Sequence, residues 1–224
     1  MIYPQWPAPA NVKSVTFCRP DQVNIDNISE SKLVNLPQTL NRLNQVHSNK
    51  AVEISLDNIQ NNLPADASYT SDRNVGCVIR TADCLPILVT SKDGEWVSAI
   101  HAGWRGLVSG VIENTLVNYS NNAHNLMAWV GPAISQRHFE VGQDVYDAFV
   151  EANTDDCIAF KASEQNHDKY YANLFLLAEL RLKRLGVQDI YHSHQCTYSN
   201  PELYYSYRRD NGSADRLITV IWRT

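Results

Sequence analysis

Short apolar runs rich in β-branched and aromatic residues recur from one end of the chain to the other: Val12–Phe17, Leu43–His47, Val75–Arg80, Pro86–Thr90, Trp96–His101, Leu126–Val130, Ile190–His194 and Arg216–Trp222. Runs of this length and composition predict strands, and all fall far below the roughly 18 apolar residues of a membrane span. Three intervening stretches carry helical periodicity instead. Trp104, Leu107, Val108, Val111, Ile112 and Leu116 repeat at helical spacing behind Gly103, and Val141, Val145, Tyr146 and Phe149 do so around Gly142. Leu174, Leu177, Ala178, Leu182 and Leu185 predict a third helix from Asn173 to Leu185, ended by Gly186. Strands interleaved with helices through short connections imply an α/β or mixed α+β fold, and 224 residues suffice for one domain with a sizeable core. The stretch 21–39 is polar and without period, and reads as a surface excursion.

The chain carries 19 Lys+Arg against 24 Asp+Glu, a formal charge of −5, with no basic cluster, which argues against general nucleic-acid binding. Its N-terminus, Met1 to Pro7, has neither a basic region nor a continuous apolar one, so no secretory signal is read there. The five cysteines (Cys18, Cys77, Cys84, Cys157, Cys196) are odd in number and form no CxxC pair, so a disulfide framework is not expected and a reducing cytoplasm is.

Three segments end an apolar run with reactive side chains: Asn44–Ser48 with His47, Arg80–Pro86 with Asp83 and Cys84, and Ala99–Gly106 with His101 and Arg105. Strand ends opening into glycine-containing turns are where α/β proteins present functional groups. His47, Cys84 and His101 suit the count of a catalytic zinc, which takes three protein ligands. Their spacings of 84 − 47 = 37 and 101 − 84 = 17 are too long to select them. Cys18, Cys77 and Cys157 read as small buried hydrophobes, and His124, His138 and His167 as solvated. His192, His194 and Cys196 allow a second Cys/His cluster, although one face of an ordinary strand explains them as well. A helix starting near Gly103 would add free N–H groups to the charge of Arg105 and make an anion site. Arg208 and Arg209 read either as an anion contact or as a solvated turn.

These residues belong to an ordered set of motifs: Gln45-Val46-His47, Ala65-Asp66-Ala67, Thr81-Ala82-Asp83-Cys84-Leu85-Pro86, His101-Ala102-Gly103-Trp104-Arg105-Gly106, Val130-Gly131-Pro132, Glu140-Val141-Gly142, Cys196-Thr197-Tyr198 and Ser206-Tyr207-Arg208-Arg209-Asp210. From about Gln45 to Trp222 the chain resembles the laccase-domain-containing, or multicopper polyphenol oxidase-like, family of purine nucleoside phosphorylases, which includes the peptidoglycan editing factors. The resemblance implies one layered domain over 1–224, with a mixed β-sheet core flanked by helices as in the cytotoxic necrotizing factor catalytic domain. It implies one zinc on His47, Cys84 and His101, with copper loading in vitro as the source of any polyphenol oxidation. It further implies phosphorolysis of adenosine, inosine and 5′-methylthioadenosine with adenosine deaminase activity, by a monomer or weak dimer whose partners are nucleoside and phosphate. Arg105 is then the candidate phosphate clamp, and Arg208 and Arg209 are further substrate contacts. Asp66 and Asp83 are candidates for general acid/base work or for support of a ligating histidine. Two rivals share these residues: an amidase that edits cell-wall precursors with the zinc or a Cys84 thiolate, and a non-catalytic binding protein with a structural zinc. Departures from the family pattern fall at Ala133–His138 and at Tyr69.

Overall fold

The computed structural model describes residues 1–59 and 61–224. In chain order the strands and helices are β1 (Val12–Phe17), β2 (Thr39–Asn44), β3 (Ala51–Glu53), β4 (Leu63–Pro64), β5 (Ala67–Thr70), β6 (Val75–Thr81), β7 (Leu85–Ser91), β8 (Val97–Ala102), α1 (Trp104–Val108), α2 (Val111–Leu116), β9 (Leu126–Val130), β10 (Glu140–Gly142), α3 (Gln143–Ala152), β11 (Phe160–Ala162), β12 (Lys169–Ala172), α4 (Leu174–Arg184), β13 (Asp189–His192) and β14 (Leu217–Arg223). They build a five-stranded sheet in the order β1-β14-β6-β2-β4, a six-stranded sheet in the order β13-β9-β7-β8-β5-β3, and a small sheet β10-β12-β11. Both large sheets mix directions: β2 runs parallel to β6 and β13 parallel to β9, while β7 is antiparallel to both β8 and β9.

Alternation along the strands explains the layering. Cys77 and Ile79 of β6, Leu88 of β7, Val97 and Ala99 of β8, Trp129 of β9 and Ile221 of β14 form one buried cluster between the two large sheets. The opposite face of the six-stranded sheet, with Ile87, Val89, Ile100 and Val130, packs on Leu107, Ile112, Phe149, Leu177 and Leu182 of the helices. The outer face of the five-stranded sheet, with Val15, Phe17, Val78, Val220 and Trp222, is covered in turn by Val23 and Ile28. Both faces of the central strands β6, β7, β8, β9 and β14 are therefore buried, while the edge strands β3, β4 and β13 are only partly so. This is why β7, β8, β9 and β14 read as continuous apolar runs rather than as alternating ones.

Several expectations are revised. The stretch 21–39 is loop-like, but Ile28 is fully buried in it and anchors it to the sheet. The helix expected over 104–116 is two helices, because Gly110 sits in the left-handed region at φ +86°. A Cβ there would meet only Glu113 atoms at 3.5 Å or more, so Gly110→Ala tests backbone strain alone. It is expected to cost about 1–2 kcal/mol, a Tm fall of roughly 2–8 °C by calorimetry. Val141 belongs to β10, paired with Tyr170, and not to the helix after Gly142. Cys157, expected to be buried, is exposed, whereas Cys18 and Cys77 are buried as expected.

The end of β2 matters most for function. The expected run Leu43–His47 stops pairing at Asn44, and the Gln45 side chain continues the ladder in place of the backbone. Its amide donates to the Arg80 carbonyl at 2.8 Å and accepts from the Arg80 N–H at 2.8 Å. The amides of residues 46–48 are thereby released from the sheet.

A His–Cys–His cluster under a ring of arginines

The freed amides wrap a carboxylate. Asp66, fully buried, accepts hydrogen bonds from the N–H groups of Val46 (3.3 Å), His47 (3.0 Å) and Ser48 (2.6 Å) and from the Ser48 hydroxyl (2.8 Å). His47 takes the left-handed conformation, φ +59°, that lets successive N–H groups converge on one anion. The same carboxylate pairs with His101 Nδ1 at 2.8 Å, leaving Nε2 as the free nitrogen of that ring. One buried carboxylate thus fixes the backbone of one histidine and the ring of the other.

Cys84 completes the group from the turn between β6 and β7. Its Sγ lies 3.8 Å from His47 Nε2, and the ligand atoms of His47, Cys84 and His101 all lie within 4.8 Å of one another. Gly103 makes this approach possible. A Cβ on it would stand 2.9 Å from Cys84 Sγ and 3.0 Å from the His47 ring, so no side chain fits. Burial alone pushes the Cys84 thiol up, but the charge of His101 and hydrogen bonds from both histidines outweigh it and bring the thiol down to about 6. Burial pushes His101 down, and the charge of Cys84 with the Asp66 hydrogen bond outweighs that in turn, raising the imidazole to about 9. Each partner thus favours the charged form of the other, thiolate on Cys84 and imidazolium on His101.

The donor set fits a transition metal. Two imidazoles and a thiolate are ligands that zinc prefers; bonds of about 2.0–2.3 Å need donors roughly 3.5 Å apart, and here Cys84 and His47 stand at 3.8 Å and all three donors within 4.8 Å. The Asp66–His101 pair is the carboxylate–histidine arrangement that orients a ligating ring. Among the described residues this is the one group of three or more His, Cys, Asp and Glu side chains close enough to hold an ion. The second cluster considered at residues 192–196 does not form. His192 faces Glu179 at 3.3 Å and stacks on His194, while Cys196 accepts from the Ser135 N–H.

The cluster lies in a cavity of about 520 Å³ whose walls include Asp83, Ile134, Arg80, Arg105, Arg208 and Arg216. Of the arginines expected to contact substrate, Arg105 and Arg208 are in this wall and Arg209 is not. The Arg209 guanidinium is spent on the carbonyls of Thr197, Tyr198 and Tyr204 and on Asp210, which pins the 197–210 loop. Asp83 is likewise committed: it accepts from Thr197 Oγ1 (2.6 Å), Ser206 Oγ (3.0 Å) and the Arg208 N–H (2.7 Å). It ties the loop carrying Arg208 to the turn carrying Cys84. The anion site expected at a helix start is also revised, since α1 has only five residues and little dipole to offer. Its charge resides in the side chain of Arg105.

Sequence reasoning missed Arg80, Arg216, and the aromatic residues Phe139 and Tyr207 as cavity walls. Adjacency marked Trp104 with Arg105. Nothing local marks Phe139 with Arg208, which the fold alone brings together. Of the two departures from the family pattern, Ile134 reaches the cavity wall, whereas Tyr69 stacks on Trp96 and does not line it.

Comparison with known proteins identifies the family. The family described as multi-copper polyphenol oxidoreductase laccase matches residues 18–224. A Haemophilus influenzae protein named purine nucleoside phosphorylase is 37% identical over 242 aligned positions, covering 99% of this chain and 98% of that one. The Escherichia coli K12 protein named purine nucleoside phosphorylase YfiH is 37% identical at the same coverage of both chains. The crystal structure of a Neisseria meningitidis DUF152 protein superposes with a TM-score of 0.88 at 35% identity, covering 99% of this chain and 98% of that chain. The chain therefore belongs to the multi-copper polyphenol oxidoreductase laccase family, in the company of relatives named purine nucleoside phosphorylase.

Proposed function

We propose that this protein is a single-domain, zinc-dependent purine nucleoside phosphorylase that acts on adenosine, inosine and 5′-methylthioadenosine and also deaminates adenosine. The observation that carries the reading is the shared cavity: a three-donor metal cluster and uncompensated arginine charge face the same space. A cavity with aromatic walls suits a purine, and positive charge suits phosphate. His47, Cys84 and His101 would hold the zinc. When bound there it supplies a Lewis acid and lowers the pKa of water at the cavity floor. Three protein donors leave a coordination position open, which favours catalysis over a structural role. Five free cysteines support a reducing, cytoplasmic setting.

The protein's own groups account for the rest. Arg105 rests on the Trp104 ring, its guanidinium 4.5 Å from the ring centroid, and that guanidinium makes no hydrogen bond or ion pair among the described residues. Its donors are free to hold phosphate beside the ribose C1′. In the transfer, a phosphate oxygen bonds to C1′ as the bond from C1′ to the purine nitrogen breaks. The electron pair goes to the base, and the phosphate proton balances it. Asp66 and Asp83 act here as positioning groups, their oxygens accepting from protein donors.

The test is hypoxanthine release from inosine by the purified protein, with and without phosphate. Release that requires phosphate and yields ribose 1-phosphate is expected, and Arg105→Gln is expected to raise the phosphate KM at least about tenfold through loss of a charge-assisted contact. Release independent of phosphate would overturn the reading. So would inertness toward nucleosides combined with amide cleavage of an acidic sugar peptide.

A further inference from the structure

Three of the arginines around the cavity share a construction. Arg105 lies 4.5 Å from the Trp104 ring centroid, Arg208 5.6 Å from that of Phe139, and Arg216 5.6 Å from that of Tyr207, and all six residues line the same cavity. A guanidinium packed on an aromatic face is held in place while its charge remains unneutralised. Among the described residues none of the three, nor Arg80 beside them, takes part in an ion pair. Their protein partners are carbonyls: Leu43 for Arg80, Glu140 for Arg208, Ser213 and Asp215 for Arg216. The acidic side chain in the wall, Asp83, already accepts from Thr197, Ser206 and the Arg208 N–H. A chain with a formal charge of −5 has thus gathered four unpaired arginines around one cavity.

One inorganic phosphate engaging Arg105 leaves most of that charge unmatched. We infer that Arg208 and Arg216 form a second anion subsite, which admits a further substrate that itself carries a phosphate: a purine nucleoside 5′-phosphate. This rests on the phosphorolysis reading and extends its substrate class; an unphosphorylated nucleoside or 5′-methylthioadenosine would leave the second subsite empty. The two subsites come from different parts of the chain, Arg105 from the start of α1 and Arg208 with Arg216 from the loop that precedes β14. That loop is anchored by the Asp83 and Arg209 contacts, so both guanidinium groups are presented from fixed backbone. The transfer balances as for a nucleoside. Inorganic phosphate bonds to C1′, the base departs with the glycosidic electron pair and the phosphate proton, and the other product is ribose 1,5-bisphosphate.

The experiment is calorimetric binding of inosine and of inosine 5′-monophosphate to the metal-containing protein at about 150 mM salt, followed by turnover of each with phosphate. The nucleotide is expected to bind at least about tenfold more tightly than the nucleoside. Arg216→Gln and Arg208→Gln should each reduce that ratio several-fold, whereas Arg137→Gln, outside the cavity, should leave it unchanged. Equal binding of the two ligands, or a ratio indifferent to Arg208 and Arg216, overturns the subsite even if inosine is phosphorolysed. Tight nucleotide binding that depends on these arginines, with neither compound cleaved, keeps the subsite and overturns phosphorolysis.

Discussion

Cys84→Ala is expected to lower bound metal from about one ion per chain to near zero and to abolish phosphorolysis while the fold persists. Cys84 is half-buried at the cavity floor and carries no packing load comparable to a core residue. Its removal takes the one thiolate from a three-donor set, leaving two imidazoles in an otherwise cationic cavity. Loss of a supporting partner alone typically costs about 10–100-fold in metal affinity, and loss of a ligand should exceed that. Elemental analysis after gel filtration reads the metal, and circular dichroism reads the fold. A variant that keeps a full equivalent of metal would show that Cys84 is not a ligand.

Asp66→Asn is expected to act on metal affinity and stability together. The carboxylate accepts from three consecutive N–H groups, a hydroxyl and the His101 ring, and both Asp66 and His101 are almost wholly shielded from water. An amide in its place turns one acceptor oxygen into a donor facing other donors. Breaking a buried charge pair from one side costs about 3–5 kcal/mol. With His47 and His101 no longer fixed, metal affinity should fall about 10–100-fold. Denaturant unfolding of the metal-free protein separates the two effects, because there the stability loss is read without the ion. A variant as stable as the wild type, with unchanged affinity, would remove Asp66 from its organising role.

The central strands were legible because the sheets stack, whereas the short β3, β4, β5, β10, β11 and β12 were not read from the sequence. Burial on both faces makes β7, β8, β9 and β14 largely apolar runs, and Leu126–Val130 coincides with β9 residue for residue. The helices were legible by period, except where Gly110 breaks one into two. The register of β2 was not, since an apolar pattern cannot reveal that the Gln45 side chain takes over from the backbone. The chemistry of His47, Cys84 and His101 suited a metal, but they are 37 and 17 residues apart, and only the family resemblance singled them out. What brings them together is Asp66, a residue whose five hydrogen bonds leave no trace in local sequence pattern. Arg209 looked equivalent to Arg208 for the same reason. Adjacent arginines in a turn point in different directions, and only tertiary structure assigns one to the loop's carbonyls and the other to the cavity.

The most direct measurement for the central claim is a zinc titration of chelator-stripped protein, read as phosphate-dependent hypoxanthine release from inosine. The rate is predicted to rise from near zero in proportion to zinc and to level off at about one equivalent per chain, as one His47–Cys84–His101 site requires. Full activity in the stripped protein, or a rate that keeps climbing beyond one equivalent, would contradict it.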